Sequence, residues 1–172
     1  FAAKYLENKL KFLSAVREAV AFGDGRDYAT AMINIDMDAV GNWAERQGLS
    51  YTSYSDLANH DEVYGLVAEG IREVNADLAK DPNLAGSAIR RFLILHKELD
   101  ADDGELTRTR KVRRGFIADR YGTLVDALYS DAVSVTVEST VTFEDGREGK
   151  IKADLKIYDV EGPVPAPLLK AG

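Results

Sequence analysis

The sequence predicts an α+β fold in which short antiparallel strands pack with helices, followed by a C-terminal amphipathic β-hairpin. Three patterns carry that expectation. Residues 15–37 alternate apolar and polar side chains around a glycine-rich turn, apolar residues recur at helical spacing through Asp61 to Lys80, and two more alternating runs fill residues 133–158. Strands and helices interleaved in this way must share a layered core.

Ala2 to Leu13 reads as a helix, with Tyr5, Leu6, Leu10 and Leu13 near one face and Lys4, Glu7, Lys9 and Lys11 largely off it. Ala15 to Phe22 and Tyr28 to Met37 read as strands. Gly23-Asp24-Gly25-Arg26 joins them in a turn that favours positive φ, and Ala29, Ala31, Ile33 and Ile35 form one buried face. Asp38 to Gln47 is a short helix that Asp36 or Asp38 can cap and Gly48 stops. Tyr51 to Ala58 is weakly helical. Asp61 to Lys80 is the clearest helix, through Val63, Val67, Ile71, Val74 and Leu78, and Asp81-Pro82-Asn83 ends it. Arg91 to Leu99, with Phe92-Leu93-Ile94-Leu95, has the length of a strand. Residues 100–104 form a polar loop, and Lys111 to Tyr129 reads as one helix with Phe116, Ile117, Tyr121, Leu124 and Leu128 on its apolar face.

In the terminal hairpin, directly opposed residues share a face, so odd positions pair with odd. A five-residue loop over Asp145 to Gly149 would oppose Phe143 to Ile151 and Val137 to Ile157. It would also set Glu144 against Lys150 and Glu138 against Lys156 on the wet face. Glu161 to Gly172, rich in Pro, Gly and Ala, is expected to be a flexible tail.

Composition narrows the function. The 172 residues are 45% hydrophobic and 30% charged, ordinary for a globular protein, and no apolar run approaches the roughly 20 residues of a membrane span. No secretory leader is evident, and the chain does not start with Met, so a fragment or processed piece is expected. The absence of cysteine excludes disulfides, thiolate nucleophiles and cysteine-bound zinc and fits a reducing, cytoplasmic setting, with peripheral membrane contact allowed. A net charge of −7 argues against nucleic acid as a partner.

Most chemical motifs are missing. His60 and His96 have no ligand-spaced partners, so no metal site is expected. There is no G-x-S-x-G elbow. Gly146 to Lys150 has the wrong glycine spacing for a phosphate loop, and Gly23-Asp24-Gly25 lacks the third glycine of a dinucleotide loop. What remains is Gly104 to Arg114, where Arg108, Arg110, Lys111, Arg113 and Arg114 crowd positive charge into an acidic chain. A loop leading into a helix start, with Thr107 and Thr109 able to donate hydrogen bonds, can hold a phosphate or carboxylate; the same stretch can equally be a solvated basic face.

The run Glu105-Leu106-Thr107-Arg108-Thr109-Arg110-Lys111-Val112-Arg113-Arg114 resembles the last signature motif of AMP-forming long-chain fatty acid–CoA ligases, roughly N-G-x-L-T-P-T-x-K-x-K-R, whose lysine falls on Lys111. Tyr5-Leu6-Glu7-Asn8-Lys9-Leu10-Lys11 resembles the family's Y-I-E-N-x-L-K segment, and Val20 to Tyr28 its V-x-G-D-G-R-x-Y strand–turn. Order and spacing agree over roughly Phe1 to Tyr129. Arg108 stands where the family has proline, which leaves the loop less stiff.

The resemblance implies that residues 1–130 are the C-terminal lid domain of such a ligase, with a hairpin extension over 131–160 and a tail over 161–172. The reaction implied has two steps: a fatty-acid carboxylate attacks the α-phosphate of ATP to give acyl-AMP and pyrophosphate, and the thiol of coenzyme A then displaces AMP. ATP, magnesium, coenzyme A and the acyl chain belong to the full-length enzyme and its N-terminal adenylation domain, the implied partner. The lid supplies Lys111 for the first step, and the fragment alone is expected to be inactive. Around Lys111, the expected adenylate or phosphate contacts are Gly104, Thr107 and Thr109. Lys4 and Lys9, with Lys11, are the candidates to meet the phosphates of coenzyme A. Glu7 is expected to be a helix ion-pair residue and Gly25 a turn residue needing positive φ. The rival readings are a non-catalytic docking module of the same ancestry, using an edge of the hairpin, and a stand-alone anion-binding module.

Overall fold

The computed structural model describes residues 1–142 and 145–162. The elements run α1 (Ala3–Lys11), β1 (Val16–Phe22), β2 (Ala29–Ile35), α2 (Met37–Arg46), α3 (Tyr54–Ala58), α4 (Asp61–Leu78), β3 (Ile89–Ile94), α5 (Arg114–Arg120), α6 (Gly122–Leu128), β4 (Ser134–Thr142), β5 (Glu148–Lys156) and β6 (Tyr158–Asp159). Strands β1, β2, β3 and β6 form one sheet in that order, and β4 pairs with β5 in a separate ribbon. The α+β class therefore holds. The main sheet is mixed, because β2 and β3 run parallel while β1–β2 and β3–β6 are antiparallel. A parallel pair needs a long crossover, which α2, α3 and α4 supply.

Local signals account for the first half. Asp36 caps α2 by accepting from the Ala39 N–H at 3.0 Å, and Gly48 follows the helix at φ +74°. Ser53 caps α3 in the same way. Gly25 adopts φ +68° in the β1–β2 turn, as its position requires.

The expectation of one buried face on β2 is too small: all seven of its residues are buried. Ala31, Ile33 and Ile35 pack with α1 and α4, through Leu6, Leu10, Val67 and Ile71. On the opposite face, Val20, Met32 and Leu93 pack with Ile117, Tyr121, Leu124 and Leu128 of the α5–α6 region. Helices on both sides thus leave the central strand no wet face. Its buried Asn34 is satisfied internally: the side-chain amide donates to the Lys97 carbonyl at 2.8 Å and accepts from the Leu99 N–H at 2.8 Å.

The single helix expected over Lys111 to Tyr129 is two helices, α5 and α6, meeting at Tyr121. Ile117, Tyr121, Leu124 and Leu128 all enter one core cluster, so their periodicity runs through the break. The helix also starts later than expected, at Arg114.

The hairpin register differs as well. Val137 faces Ala153 and Glu138 faces Lys152, rather than Ile157 and Lys156; odd positions still meet odd ones. β4 ends at Thr142 and β5 begins at Glu148, so Glu148 and Gly149 lie in the strand rather than in the expected loop. Phe143 and Glu144, and residues 163–172 of the expected tail, lie outside the described residues. Tertiary demands explain the shift. Leu155 and Ile157 are buried in the core, the Lys156 ammonium reaches Asp61 at 2.8 Å, and Tyr158-Asp159 joins β3 as β6. Among the described residues, no helix is long and apolar enough to cross a membrane.

Tyr64 stitches these parts together. Its buried hydroxyl accepts from the Ile94 N–H at 3.0 Å and donates to the Lys156 carbonyl at 2.9 Å. Tyr64→Phe removes both bonds and should cost about 1–3 kcal/mol of unfolding free energy, read from urea denaturation. His96 adds a pH dependence. Burial, and then the neighbouring Lys97 charge, lower its pKa from 6.5, so the folded state binds fewer protons than the unfolded chain. Its contribution is intact above the unfolded value of about 6.5 and is lost as pH falls through the folded one. The urea midpoint of the wild type should therefore fall, relative to His96→Gln, between about pH 7.5 and pH 5.

Candidate functional site

The three sequence segments with a family resemblance meet at one place. Glu7 on α1 is 6% exposed. One of its carboxylate oxygens accepts from the Ala21 N–H of β1 at 2.7 Å and from the Arg114 guanidinium at 2.5 Å; the other accepts from Arg114 at 2.6 Å. Arg114 also donates to the Ala21 carbonyl at 2.9 Å. The pair thus satisfies both backbone groups of Ala21, much as a neighbouring strand would. This is an ion pair, as expected of Glu7, but it bridges across 107 residues of sequence instead of along the helix.

Three residues before Arg114 stands Lys111, in a tight turn. Leu106 and Val112 bridge across its base. The Thr107 N–H donates to the Lys111 carbonyl at 2.8 Å, the Arg110 N–H to the Thr107 carbonyl at 2.9 Å, and the Lys111 N–H to the Thr107 hydroxyl at 3.0 Å. The hydroxyls of Thr107 and Thr109 lie 3.2 Å apart. Arg110 takes φ +62°, a left-handed conformation that closes the turn without the family's proline. The turn is thus closed by its own hydrogen bonds, although Arg108 replaces the residue expected to stiffen it. The anion cradle read from a loop entering a helix is not formed as expected. The helix begins beyond Lys111, and the N–H groups of Thr107, Arg110 and Lys111 are used inside the turn.

The foot of the turn rests on a second buried carboxylate. Glu105 is fully buried. It accepts from the Lys97 ammonium at 2.5 Å, the Asp100 N–H at 3.1 Å and the Tyr121 hydroxyl, and Arg120 lies 3.5 Å away. Burial, followed by the Glu105 carboxylate, raises the Tyr121 pKa, which keeps the phenol protonated as a donor. The Arg113 N–H bonds the Glu105 carbonyl, and its guanidinium the Gly104 carbonyl. Gly104 sits at φ +78°, where a Cβ would meet the Phe116 ring at 3.2 Å, so a turn residue with no side chain is required there.

Lys111 is exposed and opens on a depression of about 230 Å³, lined also by Lys4, Lys11, Arg110 and Arg114, with Glu7 and Glu18 there already paired to Arg114 and Lys11. Lys4 and Lys111 therefore share one basic surface. Lys9 does not line it: its ammonium pairs with Asp77 of α4, and that hydrogen bond, opposed by desolvation, raises its pKa. Lys11 pairs with the buried Glu18 at 2.8 Å. Sequence reasoning missed the Arg114 anchor and the Glu105 hub. The expectation that Glu7 lies largely off the apolar face is corrected: it is buried beside Leu6, three residues before Leu10, because its carboxylate is paired there. Glu105 offered no signal in the sequence.

The fold is one also seen in parts of two solved adenylation-domain structures. It matches the adenylation domain of a carboxylate reductase from Mycobacterium chelonae at TM-score 0.57 and 21% identity, over 76% of this chain and 18% of that one. It matches the A-PCP didomain of the carboxylic acid reductase from Segniliparus rugosus, solved with AMP, at TM-score 0.55 and 19% identity, over 74% and 16%. At these identities the likeness is one of fold.

The sequence relatives are more particular and carry the names of fatty-acid–CoA ligases, FadD15 and ACSBG1 those of long-chain ones. FadD15 of Mycobacterium tuberculosis is 28% identical over 130 residues, 75% of this chain and 21% of that protein. From the same organism fadD11, named as a fatty-acid–CoA ligase, is 36% identical over 111 residues, covering 64% and 18%. ACSBG1 of Macaca fascicularis, a long-chain-fatty-acid–CoA ligase, is 31% identical over 99 residues, covering 57% and 13%. The chain spans between 13% and 21% of the length of these relatives. No protein-family model matches it.

Glu105 and Glu7 differ in the burial of the donors they satisfy, and that sets the order of their costs. Glu105→Ala leaves the buried Tyr121 hydroxyl and the Asp100 N–H without their acceptor, while Lys97 keeps Asp103 at 3.0 Å, and should cost about 3 kcal/mol. Glu7→Ala leaves an Arg114 side chain that is 36% exposed and should cost about 2 kcal/mol. Guanidinium unfolding of the two variants checks the order.

Proposed function

We propose that this chain is the C-terminal lid of a long-chain fatty acid–CoA ligase and that Lys111 is its adenylation lysine. One observation carries the reading: the lysine matched by the family motif is exposed at a hydrogen-bonded turn, on a basic surface where the three motif segments converge. Adenylation brings an anionic carboxylate against an anionic phosphate. An ammonium beside both offsets their repulsion and stabilises the charge that builds in the transition state. Lysine fits as a compact point charge on a long stem, carried here by a fixed turn that a moving domain can present and withdraw.

Thr107 and Thr109 support the turn through the hydrogen bonds described, and Gly104 shapes its foot. Lys4 shares the basic surface and is the better placed of the two lysines to meet a phosphate of coenzyme A. Lys9, paired with Asp77, is assigned no such contact. ATP, magnesium and the acyl chain are assigned to the adenylation domain of the longer protein, and residues 1–130 to its lid.

In that full-length protein, Lys111→Ala should lower pyrophosphate exchange with a long-chain fatty acid by about 100-fold or more. Thioester formation from supplied acyl-AMP and coenzyme A should be largely kept. Equal loss of both half-reactions, or no loss, would sink the assignment.

A further inference from the structure

We propose that Arg114, clamped by Glu7 onto the outer edge of β1, is the positioning residue that determines where the Lys111 ammonium stands; this rests on the ligase reading above. The argument follows the chain outward from the sheet. Ala21 lies in the regularly paired part of β1, opposite Ala31 of β2, and is 1% exposed, so it is a fixed point. Arg114 holds that point through its carbonyl, and Glu7 holds both Arg114 and the Ala21 N–H. A bidentate pair restrains direction as well as distance.

From Arg114 the backbone runs back through Arg113, whose N–H bonds the Glu105 carbonyl at 3.0 Å, to Val112, bridged to Leu106. Lys111 comes next, with its own N–H and carbonyl both bonded to Thr107. Every link between the sheet and the Lys111 backbone is therefore occupied. One leg of the turn is moored by Glu105 and the other by Arg114. Releasing the Arg114 moorage shifts the turn without removing any group that faces the reacting atoms. A displacement of about 1 Å in a catalytic group can cost about 100-fold in rate.

The test uses the full-length protein carrying wild type, Glu7→Gln, Arg114→Lys, Lys111→Ala and the Arg114→Lys/Lys111→Ala double variant. Pyrophosphate exchange with a long-chain fatty acid and thioester formation from supplied acyl-AMP are measured separately. Melting curves establish that each variant is folded at the assay temperature. Arg114→Lys keeps the positive charge but not the fork, and Glu7→Gln keeps the shape but not the charge pair.

Each should lower kcat for exchange about tenfold or more, with KM for ATP changed less than about threefold and thioester formation kept within about twofold. The double variant should be no worse than Lys111→Ala, because the clamp acts through that lysine. Exchange within about twofold of wild type in both single variants overturns the proposal, and so does a parallel fall in both half-reactions, the mark of a general structural defect. If Glu7→Gln does not fold, Arg114→Lys alone decides. If Lys111→Ala itself leaves exchange intact, the lysine assignment has failed, and the positioning role falls with it.

Discussion

The bidentate pair between Glu7 and Arg114 is the constraint on which the arrangement of the site depends. It ties the first helix, the edge of the sheet and the start of α5 to one residue, Ala21. A sheet edge normally exposes unpaired backbone groups, which invite further strands. Here a carboxylate and a guanidinium take the place of a strand at Ala21, and α1 covers the sheet face beside it. The buried charge is tolerable because Glu7 accepts three hydrogen bonds, which repays much of its desolvation.

A second buried carboxylate does comparable work on the far leg of the Lys111 turn. Glu105 gathers an ammonium, a phenol and a backbone N–H from segments on both sides of it in sequence, so the polar loop after β3 and the α5–α6 junction are held by one group. Between the two anchors, the turn that carries Lys111 closes on its own hydrogen bonds. With Arg108 in place of proline, the Thr107 side chain and the left-handed Arg110 close the turn.

Elements with strong local signals were legible from the residues. The spacing of Val63, Val67, Ile71 and Leu78 marked α4, and Asp36, Gly25 and Gly48 marked a cap, a turn and a stop, because caps and positive φ are decided within a few residues. The break at Tyr121 was not legible. Ile117, Tyr121, Leu124 and Leu128 keep one apolar face whether or not the helix is continuous, and periodicity reads faces, not hydrogen bonds. The hairpin register failed for a related reason. Pairing Val137 with Ile157 satisfies the ribbon by itself, whereas the folded chain needs Ile157 in its core and Tyr158 beside β3.

The residues by themselves thus determined the α+β class, the positions of most helices and strands, the family resemblance and the choice of Lys111, since each depends on short-range pattern or on a motif in register. Tertiary structure alone decided that β2 is buried on both faces, that β2 and β3 run parallel, that Glu7 reaches across the chain to Arg114, and that Lys4 rather than Lys9 shares the surface of Lys111. These are outcomes of which distant segments come together, and no local periodicity encodes the partner of a side chain 107 residues away.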